Sequence, residues 1–392
     1  MAEINHNAEA QNVTVMPRKE KKSTRFIGMD APFFMLVCTL LFFGLVIVYS
    51  ASYSLSLRDH DTTSYYILHQ AAFALVGFGL MLVISRFDYR WLKRYWLVIL
   101  ALSVLALVAV ELFGVVRNFS KRWIILAGIQ FQPSELTKIG LIVFFAAFID
   151  KYHDKMKTLR YGLMPYIGVM AVVGLLLYRQ PHMSALILIA MTCFVMIFVG
   201  GLAWKWIISG GALVGAVGLY LMLFTNFLGY IQRRVEAWQN PYADPLGSGY
   251  QTIQSLYAVG SGGLFGLGLG NGRQKQLFLP ESHNDYVFSI AAEELGFIGA
   301  MLIVLVFAAF MIRGFWIAFH ARDRFGTMLA VGIMTMLSLQ IIINIAVVTN
   351  AMPVTGMSLP FFSYGGTSLV VLLCEMGLML SVSRQIRLKK EG

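Results

Sequence analysis

Charge is what this chain has least of. Only 13% of its 392 residues are Asp, Glu, Lys or Arg, about half the share of an ordinary soluble domain. That excludes a water-soluble enzyme of this size, which needs a polar surface. The three cysteines, Cys38, Cys193 and Cys374, sit in apolar runs with no CxxC or Cys/His cluster. A disulfide scaffold and a zinc site are therefore not indicated. Acids are scarcer than bases, 20 against 31, for a net charge of +11. What fills the chain instead is apolar: 58% hydrophobic residues and a mean hydropathy of +0.70. Such a composition defines an all-α polytopic membrane protein.

Apolar runs occur at about 32–50, 65–85, 95–116, 134–150, 162–178, 183–201, 207–229, 287–312, 326–348 and 368–383. Ten spans place both termini on one side. Residues 1–28 are polar, with Arg18, Lys19, Lys21, Lys22 and Arg25 ahead of the first run, and are expected to form a disordered basic cytoplasmic tail. The first run is too long for a signal-peptide core and reads as an uncleaved anchor. The membrane domain is expected over 29–385, and 386–392 forms a short basic tail. With the termini inside, about 21 of the 31 basic residues fall on cytoplasmic segments, as the positive-inside rule requires.

The other ten bases are Arg58, Arg117, Lys121, Arg122, Lys138, Arg179, Arg233, Arg234, Arg273 and Lys275. All but Arg58 cluster on the outer connections between spans 3 and 4, 5 and 6, and 7 and 8. Solvated loop charge accounts for them equally well as an anionic or pyrophosphate substrate does. The connection 230–286 far exceeds the usual loop length of about 12–15 residues. It carries amphipathic, aromatic stretches and a glycine run from Gly260 to Gly272, suited either to close packing or to bringing amides up to a phosphate. Asp285 ends it, placed to act as a general base or to complement a helix dipole.

Pro133 and Ser134 read as a helix start, putting Glu135 and Lys138 one turn apart at the edge of span 4, as a structural ion pair or a functional one. Glu375 lies in mid-span 10 without an obvious local partner, with Gln340 and Asn344 of span 9 as candidate neighbours. The two prolines and three glycines of 352–368 prevent a regular helix and suit a cavity wall.

Together these segments resemble the SEDS family (shape, elongation, division and sporulation), which includes FtsW, RodA and SpoVE. The resemblance rests on Lys121-Arg122-Trp123-Ile124, Phe131 to Lys138, Gly249-Tyr250-Gln251 and the glycine run. It extends through Leu279 to Asp285, Glu293-Glu294-Leu295-Gly296, and Pro353 to Gly356 with Ser363 to Gly366. Two positions depart from the usual pattern: Gln180-Pro181-His182 where Gln-Pro-Asp is common, and His283-Asn284-Asp285 where His-Thr-Asp is usual. The His182 form and the short loops lie nearer the FtsW and SpoVE side.

The resemblance implies a peptidoglycan glycosyltransferase in the bacterial cytoplasmic (inner) membrane. It would polymerise lipid II at the outer face, in division, sporulation or cell-shape maintenance. Asp285 is then the catalytic residue. Glu135, Lys138, Trp123, Lys121, Arg122, Arg233, Arg234, Glu281, His283, Thr355 and Ser363 are expected to contact substrate. A divalent cation, Mg or Mn, suits pyrophosphate chemistry although no ligand cluster marks it, and no organic cofactor is expected. The implied partners are lipid II, a class B penicillin-binding transpeptidase and membrane lipids, with no nucleic acid. The alternative reading is a lipid II flippase.

Overall fold

The computed structural model describes residues 24–26, 28–117, 120–126, 129–210 and 229–389. The main helices are α1 (Ala31–His60), α2 (Tyr65–Ile84), α3 (Trp96–Phe113), α4 (Pro133–Lys151), α5 (Met164–Arg179) and α6 (Met183–Val199). They continue with α7 (Gly229–Gln239), α8 (Tyr250–Ser261), α9 (Val287–Phe319), α10 (Arg324–Val348) and α11 (Gly366–Arg384). Seven described helices are long and apolar enough to cross a membrane. Nine of the ten expected spans fall on helices, α4 and α6 among them. The run expected at 207–229 lies almost wholly outside the described residues, as does 1–23.

Burial sorts the helices. Within the apolar stretches of α10 and α11 two thirds of the residues are buried, against a third or less in α1, α2, α3 and α9. α10 is packed by α9, α4 and α6, and α11 lies along α2. The outer helices turn Leu75, Phe113 and Ile312 outward, an apolar exterior that belongs in lipid rather than water.

Charge concentrates at the end bearing the termini. Asp30 caps α1, accepting from the Phe33 amide at 2.9 Å, and receives a two-pronged Arg313 contact at 2.7 and 3.0 Å. Asp323 caps α10 and takes the Tyr89 hydroxyl at 2.6 Å and Arg90 at 2.7 Å. Asp150 pairs with Lys93. Part of the basic excess assigned to topology is thus neutralised within the fold.

Among the described residues two small sheets accompany the helices. The stretch expected as disordered tail contains a paired strand: β1 (Thr24–Phe26) runs antiparallel to β5 (Arg387–Lys389). An all-α fold also leaves out β2 (Val115–Arg117), β3 (Ser120–Leu126) and β4 (Ile129–Phe131), which form a small antiparallel sheet between α3 and α4. These strands are three to seven residues long, too short for a period-two pattern to stand out beside spans.

The connection after α7 is ordered and re-enters the bundle. Its glycine run packs on a break in α9, where Gly296 has φ 69°. Leu267 and Gly268 donate backbone hydrogen bonds to Glu293 and Glu294 at 3.0 Å, and Phe297 donates to Gly263 at 2.8 Å. A Cβ on Gly266 would lie 2.1 Å from the Glu294 carbonyl oxygen. The close-packing reading holds for this part of the run, because its amides already serve the helix break. Gly266→Ala is expected to cost about 1–3 kcal/mol through this clash and the strained φ. Gly260→Ala, which meets open space, should be neutral; melting temperatures in detergent check both.

Candidate active site

At the end opposite the termini, two non-helical segments meet: 279–286 before α9 and 349–365 between α10 and α11. Asn344 of α10 joins them. Its buried amide donates to the Asp285 carbonyl at 2.8 Å and to the Met357 carbonyl at 2.6 Å. Ser363 donates to the Asn284 carbonyl at 2.7 Å and accepts from the Leu359 amide at 2.7 Å. Buried Gln70 of α2 completes the frame, donating to the Ser363 carbonyl and accepting from the Gly365 amide. These amides supply what a non-helical backbone needs at membrane depth.

The frame presents the Asp285 carboxylate. Gly356, at φ 70°, passes so close that a Cβ there would sit 3.4 Å from Asp285 Oδ2. Burial and then the neighbouring Glu281 raise the Asp285 pKa to about 6, while Arg122 acts in the opposite sense. A carboxylate poised there is mostly ionised at neutral pH yet basic enough to accept a proton. Thr355 brings a buried hydroxyl with no partner. Glu281 accepts from Asn284 at 2.7 Å, and the His283 ring lies tilted against Tyr66 and Tyr364.

From Asp285 a line of ionisable groups runs into the bundle. Arg122 of β3 acts on Asp285 and also on His182, and its guanidinium donates to the Pro181 carbonyl. His182 is buried, and burial followed by Arg122 and Lys138 lowers its pKa to about 3. It is therefore a neutral imidazole between two cations, where an acid would cancel part of their charge. Lys138 is buried and pairs with Glu135 at 2.8 Å, at the start of α4, where Pro133 occupies the first turn. A carboxylate there also complements the helix dipole.

The structure thus gathers Asp285, Glu281, Arg122, Lys138, Glu135, Thr355 and Ser363 around this frame. Arg234 of α7 joins them by donating to the Val354 carbonyl at 2.5 Å. The Arg233 side chain lies outside the described residues. Lys121 donates to the Glu111 carbonyl at 2.5 Å and so caps the end of α3. Trp123 of β3 pairs with Val115 of β2. Lys275 is withdrawn from the outer cations: buried, it binds Glu294 at 2.6 Å and Ser50 at 2.8 Å. Asn344 and Gln70 carry the frame but were not read as site residues; amides inside apolar spans are the signal that marks them.

Among the described residues no three His, Cys, Asp or Glu side chains gather to hold a metal ion. Among those residues the donor set does not build a resident divalent-cation site.

A helical membrane protein that sets a carboxylate with a raised pKa in a partly non-helical wall, under the influence of an arginine, carries the groups that acid–base chemistry uses. The chain belongs to the FtsW/RodA/SpoVE family, described as cell cycle proteins, which it matches over residues 31–388. It is 41% identical over 374 residues to stage V sporulation protein E of Bacillus subtilis, covering 93% of this chain and 100% of that protein. It is 39% identical over 360 residues to a Geobacter sulfurreducens protein named "Probable peptidoglycan glycosyltransferase FtsW", covering 91% and 96%. Among solved structures it resembles a chain from a peptidoglycan synthase complex, at 28% identity with a TM-score of 0.76, covering 93% and 100%.

The electrostatics of Asp285 give a signed expectation. Arg122→Ala removes a positive charge and should raise the Asp285 pKa above 6, whereas Glu281→Gln should lower it. Carboxyl NMR titration of the purified protein, with Asp285→Asn to assign the signal, measures both.

Proposed function

We infer that the chain is a peptidoglycan glycosyltransferase, a multi-pass enzyme of the bacterial cytoplasmic membrane with both termini inside, ten spans and its site at the outer face. It polymerises lipid II in cell division, sporulation or cell-shape maintenance. The observation that carries the reading is Asp285, whose backbone Asn344 clamps and whose carboxylate, under the charge of Arg122, has a pKa near 6.

In this reading Asp285 takes the proton from the C4 hydroxyl of the acceptor N-acetylglucosamine as its oxygen attacks the donor's anomeric carbon. The new glycosidic bond forms as the bond from that carbon to the diphosphate oxygen breaks, and configuration inverts. The electron pair leaves with undecaprenyl diphosphate. Negative charge grows on that leaving group, and fixed cations stabilise it without reorganising. Arg122, Lys138 and Arg234 are the side chains assigned to it, with Arg233 from the same helix. Glu135 orients Lys138. Thr355, Ser363, Glu281, His283, Lys121 and Trp123 line the approach of the sugars. A divalent cation, Mg or Mn, enters as the substrate's own counter-ion.

A class B penicillin-binding transpeptidase is the expected partner, docking on an apolar helix face in the membrane. The likeness to a chain of a peptidoglycan synthase complex supports this. Transport of the same lipid without chemistry is the weaker reading, because it leaves a tuned base unused.

Asp285→Asn should lower polymer formation from purified lipid II by at least about a hundredfold, the usual contribution of a general base. Wild-type rates from that variant would refute the assignment. The sign of the pH effect follows from the raised pKa: the base is ionised above about 6. The wild-type rate should therefore fall about tenfold per unit as pH drops below 6, as a lipid II polymerisation profile would record.

A further inference from the structure

Beneath the frame lies a cavity of about 40 Å³, lined by Glu135 and Lys138 of α4, Gln340 of α10, Ser358 and Ser363 of the non-helical segment, and Glu375 of α11. By volume it holds two or three water molecules. Glu375 is the tenth residue of the nineteen-residue α11 and is almost wholly buried, and its Oε1 has no partner. Gln340 and Asn344, its expected neighbours, are bound elsewhere: Gln340 donates to Ser358, and Asn344 to Asp285 and Met357.

The charge balance is decisive. The cation lining this cavity is Lys138, and its ammonium is bound to Glu135 at 2.8 Å. Two carboxylates therefore face one cation. An uncompensated carboxylate at such depth is expensive, so the cavity calls for one more positive charge. A proton on Glu375 or an alkali-metal ion could supply it; the lining hydroxyls are engaged with the fold, Ser358 accepting from Gln340, Ser363 donating to Asn284 and accepting from Leu359, and Ser368 donating to Gly365, which favours the proton.

We propose that Glu375 is a proton-binding site and a positioning residue: protonated, it leaves Lys138 on Glu135, and ionised, it competes with Glu135 for Lys138. The proposal rests on the catalytic reading above only in linking Lys138 to turnover. The charged groups acting on Glu375 are Lys138 and Glu135 of α4. The adjacent thiol of Cys374 on α11 also interacts with Glu375. Of the other elements packed on α11, α10 carries Arg324 at its first residue, β4 carries no charge, and His69 of α2 sits at the Tyr65 carbonyl. α2 carries no acid, lysine or arginine. In α9, Glu293 accepts from the Arg273 amide, Glu294 binds Lys275, and Arg313 binds Asp30. In α1, Arg58 pairs with Asp59. Loss of the proton from Glu375 thus alters the geometry of one cation, the one proposed to meet the leaving diphosphate.

The test pairs spectroscopy with kinetics on the full-length protein in nanodiscs. Infrared difference spectra at neutral pH should show a protonated carboxylic acid band that Glu375→Gln removes. Polymerisation of lipid II should show a one-proton alkaline limb in the wild type, about tenfold per pH unit at its steepest. That limb should be absent from Glu375→Gln and from Glu375→Leu, whose melting temperatures verify folding. A band untouched by Glu375→Gln overturns the proposal. So does an alkaline limb that persists in both variants, or a sodium requirement in the wild type that Glu375→Gln abolishes, which would assign the site to a metal ion. If the wild type makes no polymer at any pH, the catalytic reading falls, and the infrared band alone decides the protonation of Glu375.

Discussion

A polar group enclosed by apolar helices must find its partner inside the protein, because lipid offers none. At the end opposite the termini this constraint is met chiefly by two side-chain amides. Asn344 holds the carbonyls of Asp285 and Met357, and Gln70 ties Ser363 to Gly365. Through those bonds two irregular segments, far apart in the chain, are held as one wall. Without them neither segment could lie among α2, α10 and α11 without orphaned carbonyls. The position of the Asp285 carboxylate follows from this frame, since its own backbone oxygen is one of the clamped groups.

The same constraint sorts the charges. Where a base could be matched by an acid, the fold matches it: Lys275 with Glu294, Arg313 with Asp30, Lys138 with Glu135. Such pairs add little net stability, but breaking one leaves a buried charge unmatched. Between Asp285 and Glu375 the matching is incomplete. Arg122 acts on Asp285 through its charge, His182 is neutral between two cations, and Glu375 Oε1 has no hydrogen-bond partner. These groups form a line leading inward from Asp285 to Glu375.

Glycine serves this arrangement at one place above all. The break in α9 at Gly296 exposes carbonyls that the glycine loop reads directly, and Gly266 approaches closer than any Cβ allows. A flexible-looking run of glycines is therefore part of the packed body, and it carries Lys275 inward to the Glu294 carboxylate.

Much of this was legible in the sequence. Low charge and long apolar runs determined a helical membrane protein, because twenty apolar residues in a row have few other stable fates. Pro133 and Ser134 marked the start of α4, and the spacing of Glu135 and Lys138 determined their pairing, since residues three apart share a helix face. Asp285 stood out as an acid at a helix mouth. Only the tertiary structure decided the rest. Lys121 and Lys275 looked like outer cations but are spent on a helix end and a buried acid; Asn344 was expected beside Glu375 but bonds the loops, while Gln340 shares the Glu375 cavity and donates to Ser358. His182, a substitution in a motif, became a neutral imidazole between Arg122 and Lys138. The reason is physical: helix formation and membrane burial are local properties of a segment. Which charge meets which depends on how separate elements pack, whether the partners are near in the chain, as Lys275 and Glu294, or far, as Arg313 and Asp30, and no local pattern encodes that.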